Sequence, residues 1–415
     1  MHIAIVRTVF DRSHGGAERY AVALAQRWLA QGHKISVVCQ KHAAQDAEGM
    51  GVVRVSRPRV LGPFKHRWFA KRAGEAARDT GADAVLCLAR AYPGDVLRLG
   101  DGLHRAWLGA RYPDLAQRRR ALLNPRQQQL LKLERECFLP GRFGLYIANS
   151  AMTRRAVVHM YGVDPSRVLV IPNGVEPRFR PIEGPGFLDL RRKQGLPADA
   201  PVILFSGLDF RRKGLLEAVR GFIELARADR LARFVCVGRG DTREAEALLA
   251  AAHCRERALF VPHVPDIEQW YATADVFVLP TMHDPSANAV TEALACGTPV
   301  ITSSENGARQ HIHNGVNGYV LRSRLDAAEI AAKCADLLRL RLARHEVREA
   351  SGLISTDENA QRTLDALIRA GSLPPPAPED RVPPATRAEA LRRLKQQMWQ
   401  QGDARDYRDV FRNKG

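Results

Sequence analysis

The sequence predicts an α/β protein made of two doubly wound, Rossmann-like domains facing each other across a cleft, followed by a basic C-terminal tail. The chain opens with HIAIV at residues 2–6, an amphipathic stretch at 17–29 and KISVVC at 34–39. That strand–helix–strand unit demands a parallel sheet with a right-handed crossover. A second series of the same kind begins with PVILF at residues 201–205 and a helix at 215–228. At 415 residues the chain is long enough for two cores.

Composition narrows the class. Hydrophobic residues make up 45% and charged residues 26% of the chain, as in an ordinary globular enzyme. No apolar run has the length of a membrane span, and residues 1–7 read directly as a strand instead of a signal peptide. The seven cysteines are scattered without a C-x-x-C pair, which predicts reduced, buried thiols and a cytoplasmic location. A net charge of +18 points to an anionic partner: the inner membrane surface, an anionic glycolipid or nucleic acid. Aromatic-interleaved basic repeats are missing, so nucleic acid is not expected; a general arginine bias is the plainer reading.

In the first domain, Gly15 and Gly16 follow the first strand and precede the first helix, where backbone can approach a ligand closely. Residues 52–56 and 84–88 read as further strands, and 64–78 as a basic helix. Its Trp68 and Phe69 suit either a membrane surface or the core. The strand at 96–99 runs into Gly100-Asp101-Gly102, with His104 at a helix start. Asp101 therefore lies at the carboxyl edge of the sheet, where open α/β sheets bind ligands. A turn aspartate and a capping histidine are the competing reading. Residues 109–141 are basic and mainly helical, residues 146–150 (YIANS) form a strand, and VLVIPNG at 168–174 ends in a turn.

In the second domain, Gly207 follows the first strand, and Arg212 and Lys213 stand before the helix at 215–228, adding cations to an anion site. Strands at 233–238 and 258–261 follow, then His263-Val264, a helix at 267–273 and a strand at 274–279. The next segment, 279–307, reads as strand end, loop, helix, turn and strand. Ser286 or Asn288 caps its helix and Gly297 ends it. Asp284 and Glu292 are separated by about 12 Å of helical rise, too far apart to work on one bond. They suit the two ends of an elongated ligand whose anionic middle faces the N–H groups of Ser286, Asn288, Ala289 and Val290. A nucleotide diphosphate sugar has that shape. Amphipathic helices at 326–340 and 356–370 precede a Pro-rich linker and a short basic helix at 387–399.

The segment Asp284-x7-Glu292 resembles the donor-site signature of retaining family 4 glycosyltransferases with the GT-B fold, with Asp in the place of the first Glu. The Gly15-Gly16-Ala17-Glu18 element, the Arg212-Lys213-Gly214 element and YIANS followed by VIPNGV resemble the same family over roughly residues 1–370. GDGLH at 100–104 is similar to an element of the WaaG group of lipopolysaccharide-core glucosyltransferases. The resemblance implies that Glu292 holds the donor ribose and Asp284 the transferred sugar, and that Arg212 and Lys213, near Gly207, neutralise the leaving diphosphate. It also implies that backbone at His263 and Val264 cups the base, that Gly15 and Gly16 lie under the donor phosphates, and that Asp101 stands at the reaction centre, with His104 as the alternative or its helper. Retention and metal independence come with it, and no cofactor is expected.

The boundaries that follow are an acceptor-side domain at 1–178, a donor domain at 179–355, a helix crossing back at 356–371 and the tail at 372–415. The implied function is transfer of a hexose, glucose from UDP-glucose, to a glycan or glycolipid acceptor of the lipopolysaccharide core. The enzyme would be peripheral on the cytoplasmic face of the inner membrane. A nucleotide-sugar epimerase of the same fold and a non-catalytic nucleotide-sugar or nucleic-acid binder are the alternatives.

Overall fold

The computed structural model describes residues 1–56, 59–182 and 186–373. Two parallel sheets carry the architecture. The first orders its strands Gly51–Arg54, Lys34–Cys39, His2–Val6, Ala84–Cys87, Val96–Leu99, Leu145–Ala148 and Val168–Val170. The second orders Ala258–Pro262, Arg233–Arg239, Val202–Leu208, Val276–Leu279, Val300–Ser303 and Gly318–Leu321. In each, the winding reverses beside the first strand of the domain, which opens a crevice at the carboxyl ends of the strands there.

Alternation along His2–Val6 explains why both faces of the first sheet need cover. Ala4 and Val6 pack with Phe69, Ala73, Leu133 and Val157 on one side. Ile3 and Ile5 pack with Leu24 and Trp28 of the helix Gly16–Ala30 on the other. The helix Thr356–Gly371 belongs to this second face although it follows the second domain. Leu364, Leu367 and Ala370 sit in the same cluster, and Trp28 Nε1 donates to the Ala360 carbonyl at 3.3 Å. Both passages between domains lie side by side: Val175 pairs with Ser355, its N–H donating to the Ile354 carbonyl at 3.0 Å. The second domain has one continuous core, from Phe205 and Phe222 through Phe277 to Leu337.

Several local expectations shift. The strand expected at 52–56 is Gly51–Arg54, and the one at 146–150 is Leu145–Ala148. Ser150 leaves that strand because it caps the helix Ala151–Tyr161, its Oγ accepting from the Thr153 N–H at 3.2 Å. On the helix Lys65–Arg78, Phe69 is buried and Trp68 packs against the core, so these rings are not a free membrane face. The helices Arg243–Ala251 and Arg344–Ala350 and the strand Gly318–Leu321 had no counterpart in the sequence reading. The Pro-rich linker and basic helix beyond residue 373 lie outside the described residues. All seven cysteines are free and buried. Among the described residues no helix is long and apolar enough to cross a membrane.

Candidate active site

The second domain builds its wall from two loops at the reversal point, one after Val202–Leu208 and one after Val276–Leu279. Arg212 and Lys213 do not sit on the first turn of Leu215–Ala228, as the sequence suggests. They belong to a separate turn, Phe210–Lys213, because Gly214 breaks the helix at φ 86°. A Cβ at Gly214 would lie 2.2 Å from the Pro280 carbonyl, so this close crossing of the two loops requires glycine. The crossing brings Arg212 Nη1 to 2.8 Å and Lys213 Nζ to 2.7 Å from the same oxygen, Asp284 Oδ2. The stem of Lys213 runs over Gly207, where a Cβ would sit 3.2 Å from Lys213 Cγ. Burial alone would raise the Asp284 pKa, but the Lys213 ammonium and Arg212 guanidinium outweigh it and hold the carboxyl below its ordinary value.

The helix start beyond Asp284 also differs from expectation. Neither Ser286 nor Asn288 caps the helix Asn288–Ala295; the flanking residue is Ala287, with no side-chain cap. Asn306, fully buried, takes over: its Oδ1 accepts from the Ala287 N–H at 3.2 Å and from Ala308 at 3.1 Å. Asp284 Oδ1 accepts from the Ser286 N–H at 3.2 Å, and Val290 donates to the Ala287 carbonyl. Of the run expected to be free, Asn288 and Ala289 are the two whose N–H groups no described residue accepts. Any anion seat at this helix start narrows to them. Gly297 ends the helix, as expected, at φ 75°.

Glu292, half-buried on this helix, accepts from the Tyr271 hydroxyl at 3.2 Å. Burial pushes its pKa up, against the opposing charges of Arg19 from the first domain and Arg178 from the crossing segment. Arg178 also donates to the Pro265 carbonyl at 2.9 Å and to Glu268 at 3.0 Å, which ties the exposed His263 and half-buried Val264 loop to the neighbourhood of Glu292.

The first domain supplies the opposite wall. Asp101 follows Val96–Leu99, and its Oδ2 meets Arg7 Nη1 at 3.1 Å. Arg7 also pairs with Glu18 at 2.7 Å and donates to the Leu88 carbonyl at 2.6 Å. Burial would lower the Arg7 pKa, but Asp101 and Glu18 more than compensate and raise it. His104 is turned elsewhere: its Nε2 is 2.6 Å from Gln127 Oε1, and burial lowers its pKa. Buried Glu134 accepts from the backbone N–H groups of His104 and Arg105 and pairs with Arg90 at 3.2 Å. Arg90 in turn donates to the Gly102 carbonyl at 2.7 Å, fixing the turn that carries Asp101.

The walls meet. Ser150 Oγ donates to the Pro285 carbonyl at 2.6 Å, and Asn173 Nδ2 donates to Asn288 Oδ1 at 2.7 Å. Gly102 lies against Pro285, where a Cβ would come within 2.3 Å of Pro285 Cγ. A Cβ at Gly16 would lie 3.4 Å from Asn288 Nδ2, so the first helix of one domain faces the helix Asn288–Ala295 of the other; Gly15 is the residue just before it. Gly16 thus faces Asn288, and the turns that carry Asp101 and Asp284 touch through Gly102 and Pro285, with Arg212 and Lys213 joined to that side through Asp284. Arg7, Arg90, Glu134 and Tyr271 were missed in the sequence; only Arg7, a charge placed directly after a mostly apolar strand, left a local sign. Among the described residues, no group of three His, Cys, Asp or Glu side chains is placed to hold a metal ion.

Comparison with known proteins gives a consistent picture. Residues 14–179 match the model of Glycosyltransferase Family 4, and residues 200–340 match that of Glycosyl transferases group 1. The D-inositol 3-phosphate glycosyltransferase of Thermomonospora curvata is 29% identical over 400 residues, covering 86% of this chain and 91% of that protein. Its counterpart from Geodermatophilus obscurus is 34% identical over 237 residues, 54% of this chain; the chain spans about half, 51%, of that relative's length. Among solved structures, WaaG, a glycosyltransferase involved in lipopolysaccharide biosynthesis, superposes with a TM-score of 0.73 at 19% identity over 88% of this chain and 99% of its own. Anabaena HepE in complex with UDP and glucose superposes with a TM-score of 0.65 at 17% identity, over 88% and 99%.

Proposed function

We propose, for a chain that belongs to Glycosyltransferase Family 4 and has the GT-B fold, that it moves a hexose from a nucleotide diphosphate sugar, UDP-glucose first among them, to an anionic glycan or glycolipid with retention of anomeric configuration. The observation that carries this reading is the shared seat of Arg212 and Lys213 on Asp284, beside the Asn288–Ala289 helix start and across the crevice from Asp101. Two fixed cations and two free N–H groups favour a diphosphate most strongly as it leaves and gains charge. Asp284 has about four lone-pair sites, of which Arg212, Lys213 and the Ser286 N–H occupy three; the remaining one suits a hydroxyl of the transferred sugar. Glu292 holds the ribose, and backbone at His263 and Val264 faces the base.

In the proposed reaction the acceptor hydroxyl attacks the anomeric carbon on the face the diphosphate leaves. The departing phosphate oxygen takes the hydroxyl proton as the new glycosidic bond forms. Asp101, held by Arg7, steadies the cationic sugar or positions the acceptor, and His104 acts at a distance by packing the same turn. The acceptor is an anionic sugar or polyol phosphate. Both relatives just described are named for inositol phosphate, and a lipopolysaccharide core is the glycolipid version of the same chemistry. The helix Leu115–Leu122 buries none of its residues and leaves Leu115 and Leu123 exposed beside Arg119 and Arg120, which favours docking on an anionic membrane from the cytoplasmic side.

The test is incubation with UDP-, ADP- and GDP-hexoses, with inositol phosphate or lipopolysaccharide core as acceptor. Nucleotide release and the product anomer are read by NMR. Acceptor-dependent release of UDP with an unchanged anomer is the expected result. A sugar of changed ring configuration, free or nucleotide-linked, formed without acceptor makes the protein an epimerase, and an inverted anomer removes the retaining reading.

A further inference from the structure

We infer that Tyr271 is a positioning residue for the donor: through its hydroxyl it fixes the Glu292 carboxylate and thereby sets the preference for a ribonucleotide over a deoxyribonucleotide. The inference rests on the reading of Glu292 as the acid that holds the ribose.

Tyr271 is 1% exposed on the helix Ile267–Thr273. Its ring is met edge-on by Phe277 at 5.4 Å and at a tilt by Phe179 at 6.2 Å, so the hydroxyl has little freedom to move. That hydroxyl donates to Glu292 Oε2 at 3.2 Å and lies 3.0 Å from buried Ser206 Oγ. A phenol has one proton. With it committed to Glu292, the Ser206 hydroxyl must donate into the Tyr271 oxygen, and the relay runs one way, from Ser206 through Tyr271 to Glu292. Its three members stand on the strand Val202–Leu208 and the helices Ile267–Thr273 and Asn288–Ala295, none of them on a loop.

Tyr271 occupies Oε2, and no described residue donates to Oε1. A carboxylate pinned at one oxygen presents the other in a fixed direction, and a fixed acceptor discriminates between a hydroxyl present and a hydroxyl missing. A carboxylate free to turn accommodates either nucleotide through water. Satisfying a buried phenol alone would need no such partner, since Ser206 is already within reach.

The experiment measures calorimetric affinities of UDP, ADP and GDP and of their 2′-deoxy and 3′-deoxy forms. The proteins are the wild type, Tyr271→Phe, Ser206→Ala and Glu292→Gln, with a melting curve for each. The wild type should favour the ribo form of its preferred base by about tenfold or more, the scale of one hydrogen bond to a charged group. Tyr271→Phe keeps the ring in its aromatic setting and should fold, yet its preference should drop to about two- to threefold. If Tyr271→Phe keeps the full preference while Glu292→Gln loses it, the tyrosine is structural only and the reading of Glu292 stands. If Glu292→Gln also keeps it, the ribose assignment itself fails and takes Tyr271 with it. Equal binding of ribo and deoxy forms by the wild type, or no binding of any of them, has the same consequence. Should Tyr271→Phe not fold, Ser206→Ala decides: a weakened preference supports the relay, and an unchanged one overturns it.

Discussion

On the proposed donor side Asp284 is 8% exposed and shares one oxygen with Arg212 and Lys213, while on the proposed acceptor side Asp101 is 49% exposed and meets a single guanidinium at 3.1 Å. Around Asp284 the loops are pinned by buried Asn306 and by the contact of Gly214 with Pro280. Around Asp101 the support is one buried guanidinium, Arg7, and the turn at Gly102 that Arg90 holds. One wall therefore carries fold and function in the same groups, since breaking its buried pairs strands a charge. On the other wall the fold can bear the loss of half-exposed Asp101, since buried Arg7 keeps Glu18 and the Leu88 carbonyl as partners.

Substitutions on the two walls should separate along this line. Asp284→Ala strands two cations and should cost about 3–5 kcal/mol, lowering the melting temperature by about 6 °C or more as well as abolishing turnover. Calorimetry and nucleotide release check both. Asp101→Asn should lower kcat about 10²–10³-fold with an unchanged melting temperature and unchanged nucleotide affinity. If Asp101→Asn melted as early as Asp284→Ala, the contrast between the walls would be gone. His104→Ala should cost less than about tenfold in kcat, because its ring is spent on Gln127 and not on Asp101. A loss as large as that of Asp101→Asn in steady-state assays would move His104 into the chemistry. The smallest effect is acid sensitivity. The folded pKa of Asp284 lies below its ordinary 3.8, so its stabilisation is fully present above that value and is lost as pH falls through the depressed one. The stability gap between wild type and Asp284→Asn should stay level at neutral and mildly acidic pH and shrink below about pH 4.

The strands and helices were legible wherever periodicity was local, as in HIAIV, KISVVC and the helix Leu215–Ala228. The interval from Asp284 to Glu292 was read as eight residues of helix, but the helix Asn288–Ala295 carries only its second half and Asp284 stands in the loop before it. What escaped were partners that only folding brings together. Arg7 and Asp101 are 94 positions apart, and Tyr271 and Glu292 are 21 apart on different helices. The cap at the donor helix was misplaced for the same reason: Asn306 reaches it from the following loop, 19 positions downstream of Ala287. Arg212 and Lys213 were placed in the right loop but assigned to the wrong helix, since only the approach to Pro280 shows why the chain turns at Gly214. The basic tail beyond residue 373 had no such test.

The most direct measurement is UDP binding to the wild type and to the double variant Arg212→Ala, Lys213→Ala, each titrated at low and at moderate salt. Tight, salt-sensitive binding by the wild type and a loss of about 10²-fold or more in the variant is the predicted result. Equal affinity and equal salt dependence in the two proteins would place the diphosphate elsewhere and contradict the account.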